Sequence, residues 1–355
     1  GSKRNTGENY KGEFLMPNEV MPYRFSGRTQ LAEVSPGVFA LDLPTPLAIG
    51  STNSYIFKAD GIHDEGRSLI VDTGCNTSLT KETFDKALQA LDISWDCVDV
   101  FITHFHWDHC AGLDQIWRPS MKVYAGVASI QDHGTPVMAA RELGEIERQT
   151  SKYFEVGDTY DPAYWQPMTI NGQKDVPLVQ VHEGDVIKVG SYILKVLETP
   201  GHDLHHVCLY DDEKKLFVAG DQILYSMNPP IMMESDTQDQ LGIMLSTLKR
   251  LQNIEADLVL CGHGEEGSNL SERCDKVLDH YRRQLASFKK VCLDYPECSD
   301  VGKLSYYATH EGKRTYWEDR LIFGRRALLA QNMAYAAHLV ANKELPDIYK
   351  IVPLR

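Results

Sequence analysis

The run Thr103-His104-Phe105-His106-Trp107-Asp108-His109 brings three imidazoles and one carboxylate within six residues. Borderline divalent metals take neutral imidazole and carboxylate, and a pair of such ions asks for about seven or eight protein donors. His104, His106, Asp108 and His109 therefore amount to half of a two-metal site. A lone histidine is more often a packed or surface group than a ligand. Density separates this run from that reading, and it creates a requirement: the remaining donors must come from elsewhere in the chain.

The elements that position the run are legible around it. Val98-Asp99-Val100-Phe101-Ile102 is apolar and β-branched, the pattern of a buried strand, so the histidines sit where a strand ends. Ala111-Gly112-Leu113-Asp114-Gln115-Ile116 reads as a turn into a short helix, which bends the backbone and aims four donors at one cavity. Three further runs end the same way. Tyr192 to Leu197 leads to Glu198-Thr199-Pro200-Gly201-His202, Leu216 to Ala219 leads to Gly220-Asp221, and Asp257 to Cys261 leads to Gly262-His263. A small residue lets the backbone turn closely around an ion, while the buried strand behind it fixes the ligand. The collected donors are His104, His106, Asp108, His109, His202, Asp221 and His263.

Composition is ordinary for a soluble globular protein. The chain has 355 residues and a net charge of −14, from 36 basic and 50 acidic side chains. That charge repels phosphate backbones and disfavours nucleic acid as a partner. No apolar run reaches the roughly 18 residues of a membrane helix. Eight cysteines without a C-x-x-C pair, several inside apolar runs, point to buried thiols in a reducing, cytoplasmic compartment. Gly1-Ser2 reads as a cloning remnant, so the start of the chain says nothing about targeting.

Residues 1–30, polar and punctuated by Gly and Pro, read as an arm, and residues 31–270 as the catalytic domain. Its first part is a meander: Gly37 to Leu43, Asn53 to Phe57, and Ser68 to Gly74, the last carrying Asp72. A helix follows from Thr80 to Leu91, with Phe84, Ala87, Leu88 and Leu91 on one face. Residues 130–178 carry Met138, Arg141, Tyr153, Phe154, Tyr160, Tyr164 and Trp165 among charges, Gly and Pro, and read either as a lid or pocket wall or as a surface insertion. Residues 271–355 change to a helical period, with Val277, Leu278, Tyr281, Leu285 and Phe288 on one face and Leu329, Met333, Ala336 and Val340 on another. This unit reads first as a cover for the core or a homodimer interface.

With HFHWDH followed in order by TPGH, AGD and CGHG over roughly residues 31–270, the sequence resembles the metallo-β-lactamase superfamily. The resemblance implies an αβ/βα sandwich of two mixed sheets with the helical C-terminal subdomain outside it. It also implies two divalent ions, zinc first, with iron and manganese as alternatives. One ion would take His104, His106 and His202, the other Asp108, His109 and His263; Asp221 would bridge them and Asp72 would orient a ligand. The implied chemistry is hydrolysis of an ester-type acyl bond, a thioester or lactone of a small molecule, by a metal-bound hydroxide near neutral pH. Asp108 belongs to the catalytic set, and Tyr225 or His206 would protonate the leaving group.

Departures from the family's branches narrow this further. Asp221 stands where the main antibiotic-degrading branch has cysteine, and His106 where the diiron oxygen-reducing branch has glutamate. His205 replaces a glycine beside the site and reads equally as a substrate contact or a surface residue. GDQIL at Gly220 to Leu224, Asn228-Pro229-Pro230 and the tail resemble a subgroup with a C-terminal winged-helix-type unit, although no β-wing is visible here. The alternative activity is a phosphodiesterase or endoribonuclease. It requires Arg273, Lys276, Arg282, Arg283, Lys289 and Lys290 to form one basic stripe facing the metals.

Overall fold

Period-two alternation gives the central strands two buried faces. In Val38–Pro44 (β2), Val38 and Ala40 point one way and Leu41 and Leu43 the other. The same split separates Tyr55 and Phe57 from Ile56 in Ser51–Phe57 (β3), and Leu69 and Val71 from Ile70 in Ser68–Val71 (β4). Strands buried on both sides read as nearly continuous apolar runs, which is how they stand out in the sequence.

The structure, a computed structural model, describes residues 31–45, 51–130, 176–231, 233–311 and 322–351. The expected N-terminal arm and nearly all of the 130–178 insertion lie outside the described residues. Leu31–Ser35 (β1), β2, β3 and β4 form the antiparallel part of a seven-stranded sheet. Val98–Phe101 (β5), Val123–Ala125 (β6) and Leu178–Gln180 (β7) continue it in parallel. The chain thus rejoins the sheet by Leu178, at the end of the segment expected as an insertion. The second sheet has the order Leu258–Cys261 (β12), Leu216–Gly220 (β11), Val207–Asp211 (β10), Tyr192–Glu198 (β9), Val186–Val189 (β8). Strands β8, β9, β10 and β11 are antiparallel, while β12 runs parallel to β11.

The sheets pack face to face. Val38, Tyr55, Val71 and Phe101 from the first meet Leu194, Val196, Leu209, Val218 and Leu260 from the second. The outer face of the first sheet is covered by Ser78–Ala90, Trp107–Cys110 and Leu113–Ile116, with Phe84, Leu88, Leu113 and Ile116 inward. Thr77 starts the first of these helices by accepting a hydrogen bond from the Thr80 amide. Phe217, Ala219, Val259 and Cys261 line the outer face of the second sheet. They pack into one apolar cluster with the helices Gln240–Leu251, Leu270–Asp294, Val301–Glu311 and Ile322–Ala341. Among the described residues, Leu241 and Leu248 from before residue 270 and Tyr281, Phe288, Met333 and Tyr335 from after it belong to the same cluster. The result is an αβ/βα sandwich with added C-terminal helices.

The sheets are tied together at the edge where β4, β5, β11 and β12 end. Asn53 of β3 donates its amide to Gly262 O and its side chain to Cys261 O and Gly264 O, at 2.8, 2.9 and 2.7 Å. The Tyr55 hydroxyl also donates to Cys261 O, at 2.6 Å. From the other side, the Val207 amide donates to Thr103 O at 2.9 Å. Because the C-terminal helices and the second sheet share a core, Met333→Ala is expected to destabilise the whole protein by about 2–5 kcal/mol. Urea denaturation should show one transition shifted as a unit; early melting of the C-terminal helices alone would contradict the shared core.

Candidate metal centre

The donors arrive from four strand ends, with Asp72 at a fifth. Asp72 follows β4, His104 to His109 follow β5, His202 lies beyond β9, Asp221 follows β11, and His263 stands two residues past β12. Two glycines make the approach possible. Gly220 has φ +50°, and a Cβ there would lie 2.6 Å from His206 Nε2 and 2.7 Å from Thr103 Oγ1. A Cβ on Gly262 would lie 2.1 Å from Asp221 Oδ1.

The seven expected donors converge. His106 Nδ1 lies 3.1 Å from His104 Nε2 and 2.9 Å from His202 Nε2. His109 Nε2 and His263 Nε2 lie 3.4 and 3.1 Å from Asp108 Oδ2, and 3.4 and 3.3 Å from Asp221 Oδ2. His202 Nε2 is 3.6 Å from that same Asp221 oxygen, so Asp221 touches both groups. A tetrahedral ion with bonds of about 2.0–2.1 Å has ligand-to-ligand edges of about 3.3 Å. The donors thus stand at coordination spacing. His109 Nε2 and Asp221 Oδ1 are also buried without a hydrogen-bond partner, the condition that a ligand atom satisfies only by binding. The residues fit a divalent metal.

Asp72 spends its oxygens on orientation. Held at φ +61°, it accepts from the Thr103 amide at 2.8 Å, and its Oδ2 lies 2.8 Å from both Thr103 Oγ1 and His109 Nδ1. Thr103 Oγ1 in turn lies 3.0 Å from His104 Nδ1. One carboxylate therefore fixes a histidine in each donor group, directly and through a hydroxyl. Ser51 O and Pro230 O perform the same task for His263 Nδ1, at 2.9 Å, and His202 Nδ1, at 2.6 Å.

Charge divides the groups. Burial, reinforced by neighbouring imidazoles, lowers the pKa of His104 and takes His106 to about 3; burial also lowers that of His202. Burial opposes charge on His263 as well, yet the Asp221 and Asp108 carboxylates outweigh it and push the group up to about 10. His109 rises for the same reason, with Asp72 adding to the pull. Against their own burial, Asp108 and Asp221 are held well below the usual carboxylate range by His109 and His263.

The two expected proton donors, Tyr225 and His206, are each held by a group outside the donor set. Tyr225 donates its hydroxyl to Ser268 O at 2.8 Å, its ring packs against Gly267, and burial raises its pKa. His206 stacks behind His104 at 5.0 Å with Nδ1 on Thr199 Oγ1 at 2.9 Å, and burial takes its pKa to about 3. The spacing from His202 does bring it near: Nδ1 is engaged with Thr199, while the buried Nε2 lies beside Gly220 without a hydrogen-bond partner. His205 is exposed, and its carbonyl occupies the space in front of Gly126. Asp203, Gln222, Glu234 and Gln240 are absent from the sequence-derived set. Asp203 and Glu234 gather at His106, Gln222 accepts from the His202 amide at 3.2 Å, and Gln240 donates to Gly201 O at 2.9 Å. Only Asp203 and Gln222, each adjacent to a ligand, carry any local signal.

The supposed basic stripe is mostly spent internally. Lys276, Arg283, Lys289 and Lys290 pair with Glu272, Asp279, Glu344 and Asp294, while Arg273 donates to Leu224 O, Met227 O and Asn228. The eight cysteines are free thiols. No helix among the described residues is long and apolar enough to cross a membrane.

A family model described as the metallo-beta-lactamase superfamily matches residues 48–263. A probable metallo-hydrolase from Bacillus subtilis (strain 168) is 25% identical over 272 residues, covering 73% of this chain and 81% of its own. A hydroxyacylglutathione hydrolase from Nitrobacter winogradskyi is 27% identical over 201 residues, 56% of this chain and 61% of its own, so the match spans less than two thirds of that relative. Among solved structures, a metallo-beta-lactamase family protein from Thermus thermophilus has a TM-score of 0.67 at 21% identity. It covers 88% of this chain and 95% of its own.

The electrostatic division predicts unequal proton release. The carboxylates favour the protonated forms of His109 and His263, whose protons a metal would displace, whereas burial favours the neutral forms of His104, His106 and His202. Calorimetric titration of chelator-treated protein in buffers of different ionisation heat should give about two protons for one ion and about none for the other. Affinity for the first should rise with pH towards 10; equal release from both steps would contradict the division. Gly262→Ala, by pushing into Asp221 Oδ1, should abolish stoichiometric metal while leaving the circular dichroism spectrum unchanged.

Proposed function

Because the chain belongs to the metallo-beta-lactamase superfamily, we propose that this metal-dependent hydrolase holds two divalent ions, zinc foremost, and cleaves thioesters of a small organic substrate. The observation that carries the reading is the convergence of all seven donors, with Asp221 Oδ2 between 3.3 and 3.6 Å from His263, His109 and His202. His104, His106 and His202 would hold one ion, Asp108, His109 and His263 the other, and Asp221 both. Bound ions of this kind lower the pKa of water towards neutrality and polarise an acyl carbonyl as Lewis acids.

The chain's own residues supply position and charge. Asp108 and Asp221 stay ionised, which keeps negative donors at the site without a proton to displace from them. Asp72 and Thr103 hold His109 and His104 in the tautomers that turn Nε2 inward. The leaving group supports the choice of substrate. A thiolate, with a conjugate-acid pKa of about 8.5, departs from an acyl centre without being protonated, whereas an alkoxide requires a proton. Tyr225 has its hydroxyl engaged with Ser268, and burial takes the pKa of His206 to about 3, which leaves it no proton to give near neutral pH, so the bond that needs no general acid is the better match. The relatives named hydroxyacylglutathione hydrolase support the same substrate class. The paired lysines and arginine of the C-terminal helices, together with the net charge of −14, weigh against a nucleic-acid substrate.

A panel of acyl thioesters, lactones and phosphodiesters, run with zinc, iron and manganese, should give the highest kcat/KM on thioesters. Asp221→Ala should lower that value by about three orders of magnitude, corresponding to several kcal/mol of lost transition-state stabilisation. Purified protein without bound transition metal, full activity in Asp221→Ala, or a preference for phosphodiesters would overturn the proposal.

A further inference from the structure

His106 differs from the other two histidines of its group in the nitrogen it offers. His104 and His202 present Nε2 and anchor Nδ1 on Thr103 Oγ1 and Pro230 O. His106 presents Nδ1 to both of them, so its Nε2 points out of the cluster. There it meets Glu234, whose Oε1 lies 4.0 Å away, and the buried Asp203.

Glu234 is fastened in place. Its Oε2 accepts the Leu204 amide at 3.0 Å, two residues past His202, and its own amide donates to Gln240 Oε1 at 2.9 Å. Gln240 donates onward to Gly201 O at 2.9 Å. The carboxylate thus binds the loop that carries His202 on one oxygen and faces His106 with the other. A negative charge opposite Nε2 favours the tautomer protonated there, which leaves the Nδ1 lone pair for a metal. The separation of 4.0 Å makes this an ion-pair-range effect rather than a hydrogen bond.

Building on the metal-centre reading, we propose that Glu234 is a positioning residue for one of the two ions: it sets the tautomer of His106 and locks the His202 loop against it. Glu234→Ala removes both functions, whereas Glu234→Gln keeps an acceptor for the Leu204 amide and removes only the charge. Competition of zinc with a chromophoric chelator measures the affinity of each ion in the full-length protein, and cobalt absorption reports the geometry of each site.

Glu234→Ala should weaken one ion by about 10- to 100-fold and spare the other, with an altered cobalt spectrum. Glu234→Gln should fall between it and the wild type. The melting temperature of the chelator-treated protein should be the same for wild type and Glu234→Gln, separating positioning from folding. Wild-type affinity in both variants, or equal weakening of both ions, would overturn the proposal. Uptake of a third ion abolished by Glu234→Gln would also overturn it, by making Asp203 and Glu234 ligands. If the wild type takes up no transition metal, the metal-centre reading fails and this inference goes with it; two tight ions with an indifferent Glu234 leaves that reading intact.

Discussion

Burying Asp108 and Asp221 beside five imidazoles is the constraint on which the structure turns. Withdrawing a charge from water costs several kcal/mol even after relaxation, and here both carboxylates are nearly inaccessible. Their partners must therefore stand at fixed distances. The fold meets that demand by placing every donor at the end of a buried strand, where little side-chain freedom remains to be lost. The carboxylates favour protonation of His109 and His263, and a bound divalent ion would supply the same balancing charge.

Rigidity is needed between the sheets as well as within them. His104 to His109 belong to the first sheet, while His202, Asp221 and His263 belong to the second. A small slide of one sheet over the other would spoil every edge of the donor cluster. Asn53 and Tyr55 on one side, and the Val207–Thr103 hydrogen bond on the other, pin the edge where the sheets meet. The C-terminal helices extend this support. His338 lies 2.8 Å from Asp239, which caps the helix beginning at Gln240, and Gln240 holds the turn before His202.

Much of this is legible in the sequence because each ligand follows an apolar run and, in three of the four segments, a glycine. Chemistry, strand and turn are all local there. The strands around Val71, Phe101, Val196, Val218 and Leu260 are visible for the same reason. The strands β6, β7 and β8 are not, β6 being only three residues long and β7 and β8 largely exposed rather than apolar on both faces, and β10 is hidden behind the histidines of the preceding loop. Tyr225 and His206 show the other limit: spacing from a ligand gives nearness but not direction, and Ser268 and Thr199, which direct them, cannot be inferred from it. Glu234 is invisible in the sequence because its partner Leu204 is 30 residues away and its contact is with a backbone amide.

The central claim is that one carboxylate, Asp221, joins two ions that share the end of β5 and are completed by His202 and His263 from the second sheet. Anomalous diffraction from zinc-loaded crystals at the metal edge tests it most directly. The account predicts two peaks, one among His104, His106 and His202 and one among Asp108, His109 and His263, with Asp221 Oδ2 within bonding distance of both. A single peak, or two peaks with Asp221 bound to only one of them, would contradict it.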